Sequence, residues 1–181
     1  MPSPTSTNAP PNTPDHPEIP NERVGVLLVN LGTPDAPTSS AVRRYLREFL
    51  SDKRIVDLPR AIWLPILYGV ILNVRPPITA RNYAQVWRSE NNESPLRYFT
   101  RQQATLLSRN LPTNTLVEWA MRYGRPSIKE KLFTMKEAGC TRILVIPLYP
   151  QYSATTTASV TDAVFSALGE MRWQPAIRIA P

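Results

Sequence analysis

The sequence predicts an α/β fold, a doubly wound parallel sheet flanked by helices. Three observations predict it. Short apolar runs rich in Val, Ile and Leu recur at 24–30, 115–121 and 142–147, as in strands covered on both faces. Segments with helical spacing separate them. Each run also stops in a polar or glycine-containing stretch, and ligands of open α/β sheets bind outside the carboxyl ends of the strands.

In chain order, residues 1–22 are rich in Pro, Ser, Thr and Asn with almost nothing apolar, which predicts a disordered tail. They lack the basic start and apolar middle of a secretory signal, and the first twenty residues hold no arginine for a mitochondrial presequence. The first strand begins at Val24 (VGVLLVN) and breaks at Gly32 and Pro34, leaving Thr33 and Asp35 near its end. Thr38 or Ser39 caps a helix whose apolar face is Val42, Leu46, Phe49 and Leu50.

Ala61 to Val74 carries fourteen residues without a charge, short of the ~20 that cross a bilayer. A buried or interfacial helix is expected there, ending near Arg75-Pro76-Pro77, with a new helix from Ile78 through Trp87. An apolar lip touching a membrane through 61–74 is the functional alternative. A polar break at 91–95 precedes a helix started by Ser94 or Pro95 and running through Leu107.

The second strand, Thr115 to Met121, ends in Arg122-Tyr123-Gly124-Arg125-Pro126. A helix from Ser127 to Ala138 stops at Gly139. The third strand, Arg142 to Pro147, runs into PLYPQYSATTT, with a helix from Thr155 to Leu168 after it. That stretch reads either as a binding loop or as a turn with a Ser/Thr helix cap. AIRIA, at 176–180, starts a fourth strand.

Composition narrows the function. A net charge of +7 favours anionic partners: nucleic acid, an acidic membrane surface or a carboxylate-bearing ligand. No dense Lys/Arg block appears, so no nucleic-acid partner is expected. The single cysteine, Cys140, excludes an intrachain disulfide and a CxxC zinc site, and a reducing, cytoplasmic setting is expected. His16, the one histidine, lies in the tail. Neither a Gly-rich phosphate cradle nor a Ser-His-acid triad can be assembled, and no cofactor or resident metal is expected.

NLGTPDAP after the first strand, MRYGRP after the second and PLYPQYSATTT after the third, together with RPPITARNYAQVWRSENNESPLRYFTRQQ, resemble the ferrochelatases of bacteria in order and spacing. The resemblance covers nearly all of Val24 to Pro181. It implies a chelatase-like fold of two similar domains with protoporphyrin IX between them. The activity it implies is insertion of Fe2+, a substrate, to give haem.

It implies a domain at 23–172 and, at 173–181, the start of a truncated second domain whose remainder would be the partner of this half. Substrate contacts carried over are Arg75, Tyr83 and Ser94, the strand-end residues Leu31, Gly32 and Thr33, Arg122 and Tyr123, and the loop Tyr149, Gln151, Tyr152, Ser153 and Thr155. The structural alternatives are Arg75 as a helix cap and Tyr83 as core. The family's catalytic histidine and its acidic partner fall beyond this sequence, so the isolated chain is expected to be inactive. A non-catalytic porphyrin-binding or membrane-docking module is the rival reading, and a cobalt or nickel chelatase of the same fold is another. The expected location is the cytoplasm, peripheral to the inner membrane.

Overall fold

The computed structural model describes residues 23–181; the expected tail at 1–22, with His16, lies outside the described residues. Strands β1 (Arg23–Gly32), β2 (Thr115–Tyr123), β3 (Cys140–Pro147) and β4 (Ala176–Ile179) form one parallel sheet in the order β2-β1-β3-β4. The most apolar strand, β1, is central. Its alternate residues face opposite ways: Val26 and Leu28 meet Ala104 and Trp119 on one face, Leu27 and Val29 meet Leu132, Met135 and Val164 on the other.

Right-handed crossovers explain the layers. The chain leaves β1 for β2 in one direction and then moves the opposite way to β3 and β4. Helix α4 (Pro95–Arg109) therefore covers one face, while α5 (Ile128–Glu137) and α6 (Thr157–Gly169) cover the other. Residues 173–181, assigned from the resemblance to the start of a second domain, carry β4, which pairs with β3 in this same sheet.

The long β1–β2 connection holds a third core. Helix α1 (Ser39–Leu50), capped by Thr38 with its side chain accepting from the Ala41 amide, packs Val42, Tyr45, Leu46 and Leu50 against Leu67, Leu72 and Ala80. The Trp63 indole donates to the Leu50 carbonyl at 2.7 Å, pinning the two segments at one end.

One expectation fails here. The predicted break at Arg75-Pro76-Pro77 does not occur. Helix α2 (Arg60–Ile66), a π-helical turn (Leu67–Ile71) and α3 (Leu72–Val86) run on as one helix of 27 residues with Pro76 and Pro77 inside it. A proline ring in a helix collides with the carbonyl four residues back. For Pro76 that carbonyl belongs to Leu72, whose ψ of −8° turns it aside. Asn73 then donates its side-chain amide to the carbonyls of Tyr68 and Gly69 at 3.1 and 2.8 Å, satisfying groups left by the π turn.

This helix is long and apolar enough to cross a membrane by length and composition, yet it lies against α1 and leaves its other side bare. Ile62, Ile66, Val70, Val74 and Ile78 are 41–58% exposed. In an α-helix, at about 100° per residue, residues spaced by four would drift by about 160° from first to last. The π turn, with an extra residue per turn, removes roughly 90° of that drift and keeps the stripe on one side. The buried-helix reading of 61–74 is therefore set aside.

Candidate functional site

The carboxyl ends of β1, β2 and β3 meet on one rim because the sheet is parallel. Two glycines let β1 and β2 close on each other there. Gly32 has φ +116°, and a Cβ on it would stand 1.9 Å from the Tyr123 carbonyl oxygen; at Gly124 (φ +88°) a Cβ would stand 2.8 Å from the Thr33 oxygen. Only glycine tolerates both the conformation and the contact. The result sets Thr33 beside Arg122 and Tyr123.

Beneath the rim, four polar side chains close a network. The Asp52 Oδ2 accepts from Arg122 Nη2 (2.6 Å), the Tyr123 hydroxyl (2.6 Å) and Ser159 Oγ (2.7 Å). Arg122 Nε donates to Ser159 Oγ and to the Ser159 carbonyl at 2.8 and 2.9 Å. Burial alone would raise the Asp52 pKa, but bonds from Tyr123, the Arg54 amide and Ser159, with the Arg122 charge, hold it below its ordinary value. Burial and donation to Asp52 push the Tyr123 hydroxyl well above the usual phenol range. This hub ties the end of α1, the end of β2 and the start of α6 together. Sequence reading singled out Arg122 and Tyr123 but not Asp52 or Ser159, which lie 70 and 37 residues from Arg122 and carry no local signal.

The residues named from sequence fall into three sets. Arg122 and Tyr123 belong to the hub; Tyr123 presents no surface, and the Arg122 guanidinium stacks over its ring at 4.4 Å. Leu31, Gly32, Thr33, Tyr83 and Tyr149 gather around the rim. Tyr83 reaches from α3 to meet Tyr45 edge-on at 6.5 Å, with Leu31 in the same cluster. Burial raises its pKa, partly offset by hydrogen bonding with Tyr45 and Thr33. Burial pushes Tyr149 up to about 12, with Arg122 pulling the other way. Both phenols therefore stay protonated near neutrality and serve as donors.

The Tyr149 hydroxyl is buried without a hydrogen-bond partner, and the Thr33 hydroxyl is buried with none at normal bonding geometry. Native structures seldom leave such atoms unsatisfied, so these two are where a ligand atom would be welcome.

The third set is peripheral. Arg75 is exposed on α3. Ser94 is buried and caps α4, its Oγ accepting from the Arg97 amide at 3.2 Å. In the β3–α6 loop, Ser153 and Thr156 bond each other: the Ser153 amide donates to Thr156 Oγ1 at 2.8 Å, and Ser153 Oγ also lies 3.0 Å from Thr155 Oγ1. Helix α6 begins two residues later than predicted because this turn takes up Thr155 and Thr156. Gln151, Tyr152 and Thr155 stand exposed. The turn and the binding loop are thus the same segment: Ser153 and Thr156 shape it, while Gln151, Tyr152 and Thr155 are presented.

A cavity of about 810 Å³ opens beside the rim between α1, the β2–α5 turn and α6. Of the residues named from sequence only Thr33 and Arg122 line it; Tyr123 and Ser94 are buried away from it, and Arg75, Gln151, Tyr152 and Thr155 face the open surface. Glu48 stands in it, its Oε2 accepting from the Gly124 amide at 2.9 Å, with its pKa raised by burial against that bond's opposing effect. No group of three or more His, Cys, Asp or Glu suited to a metal ion occurs among the described residues.

Residues 23–181 match the family model described as Ferrochelatase. The chain is 53% identical over 169 residues to the ferrochelatase of Allorhizobium ampelinum, covering 92% of this chain and 49% of that protein. It is 52% identical to that of Rhizobium etli over the same shares, and 55% identical over 161 residues to that of Brucella anthropi, covering 88% of this chain and 46% of the relative. The chain spans about half the length of the curated relatives it matches. By its match across 23–181 and these identities, the chain belongs to the ferrochelatase family.

Proposed function

We propose that this chain forms the N-terminal half of a protoporphyrin-binding cleft in an enzyme that inserts Fe2+ into protoporphyrin IX to give haem. The observation that carries the reading is the rim itself: in a chain of this family, Thr33, Tyr83 and Tyr149 bring hydroxyls to the strand ends, that of Tyr149 buried and unpartnered. Apolar and aromatic walls suit the macrocycle faces. Exposed Arg75 suits a propionate.

Insertion requires removal of two pyrrole protons by a base near neutrality. Asp52 is committed to the hub, Glu48 accepts from the Gly124 amide in the cavity beside the rim, and the rim tyrosines hold their protons, so in this reading this half binds and orients the ring and the base comes from the complementary half. The single histidine, His16, lies outside the described residues. The isolated chain should therefore bind porphyrin and form haem at no more than the uncatalysed rate. The complementary half of a relative, added in trans, should be needed for turnover. The bare stripe from Ile62 to Ile78 supports a second reading, peripheral docking on the cytoplasmic face of a membrane. A cobalt or nickel chelatase is distinguished by metal competition once turnover is obtained.

The test is a protoporphyrin titration followed by the Soret band. A saturable shift is expected, weakened about tenfold by Arg75→Ala or by Tyr149→Phe, from the loss of one charge-assisted or buried hydrogen bond. An unchanged Soret band on titrating the folded chain removes the reading, and haem formation by this chain alone removes the claim that it lacks the base.

A further inference from the structure

We infer that the hollow between α1 and the long helix binds a tetrahedral oxyanion, a phosphate mono- or diester. The hollow is about 240 Å³ and is lined by Arg43, Arg44, Arg47, Tyr68 and Leu72, with no carboxylate. Spacing of three and four on α1 stacks these arginines on one face, where like charges oppose one another unless an anion sits among them. Of the three, only Arg44 has an ion-pair partner, Asp35 at 3.7 Å, which Arg97 also engages at 3.2 Å; Arg43 and Arg47 have no ion-pair partner among the described residues. Arg47 also borders the larger cavity, where carboxylates of Asp35, Glu48, Asp52, Glu130 and Asp162 stand among the cations, so the uncompensated positive charge is confined to the smaller hollow.

Size and chemistry agree on the ligand. The hollow is smaller than the roughly 300–1,000 Å³ that encloses a drug-sized molecule, so a macrocycle does not fit. Guanidinium forks match phosphate oxygens two at a time, the Tyr68 hydroxyl offers a further donor, and buried Leu72 closes the floor. Tyr68 lies on the same helix as the bare stripe. A lipid phosphodiester would seat its phosphate here with its chains beside Val70 and Val74, whereas free phosphate or a soluble phosphoester would use the hollow alone. The site shares no residue with the porphyrin rim residues named above and does not depend on that assignment.

The test uses the folded 181-residue chain, inorganic phosphate as probe, and NMR of the arginine side chains. Saturable shifts at Arg43, Arg44 and Arg47 are expected. Arg43→Gln with Arg47→Gln should weaken them about thirtyfold, about fivefold for each cation removed. Arg109→Gln with Arg172→Gln removes the same net charge elsewhere and should leave them unchanged.

Vesicles of phosphatidylcholine with about 30 mol % phosphatidylglycerol then separate the sources. Displacement of phosphate by these vesicles, and not by phosphatidylcholine alone, assigns the site to a lipid headgroup. Phosphate binding that vesicles leave untouched assigns it to a soluble phosphate. Absence of saturable shifts at the three arginines in the unsubstituted chain overturns the proposal, as does equal weakening by both double variants.

Discussion

The hub under the strand ends and the long helix beside it solve opposite problems. In the hub, four polar side chains are drawn from three distant parts of the chain and satisfy one another at 2.6–3.0 Å. On the helix, five apolar side chains stand in a row and touch little. Removing a partner from the first strands buried charge and donors. Changing the second alters only what the surface can meet. Stability and recognition are thus assigned to different regions, with the rim between them drawing on both.

The largest effect should come from Asp52→Ala, which leaves Arg122, Tyr123 and Ser159 without their common acceptor. A loss of about 3 kcal/mol in urea unfolding is expected. A loss below ~0.5 kcal/mol would mean that the hub is ornamental and the comparison false.

Acidity should separate Asp52 from its neighbour Glu48. The folded state holds the Asp52 pKa low, so its contribution is present above the unfolded value of about 3.9 and fades as pH falls through the depressed folded value. Glu48 is shifted upward, so the folded state binds its proton more tightly; that favourable contribution is lost as pH rises through its folded pKa. Asp52→Asn should flatten the acid limb of the stability profile, and Glu48→Gln should flatten the limb above pH ~4.3. Matching slopes for the two variants would contradict these opposite signs.

Smaller still is Tyr149→Phe, which deletes a buried hydroxyl without a partner. The unliganded chain should lose nothing or gain up to ~1 kcal/mol, against the expected loss in porphyrin affinity. Destabilisation by more than that would show that the hydroxyl has a structural partner. Least of all, Val70→Asn and Val74→Asn should move unfolding by less than ~0.5 kcal/mol while lowering affinity for vesicles. A large stability loss would mean that the stripe is core.

Much of this was legible in local sequence. The three apolar runs became β1, β2 and β3, Thr38, Ser94 and Ser127 became helix caps, and the glycine at the end of β1 marked a rim that no other residue could form. The helix through Pro76 and Pro77 was not legible. A proline pair argues for a break by local rules, whereas the rotated Leu72 carbonyl and the π turn before it depend on how the segment packs against α1. Nor did any neighbour of Asp52 in sequence mark it, since its partners arrive from β2 and α6.

The sequence by itself determined the class of fold, the order of its elements and which residues lie at the strand ends, because hydrophobic period, caps and glycines act over a few residues. Tertiary structure decided which of those residues face a ligand and which brace the floor. Tyr123 and Tyr149 look alike as strand-end tyrosines, yet one is locked to Asp52 and Ser159 and the other is left with an unpartnered hydroxyl. The physical reason is that a hydrogen bond is satisfied by whatever the fold brings within about 3 Å, and for these two residues that is set by segments far away in the chain.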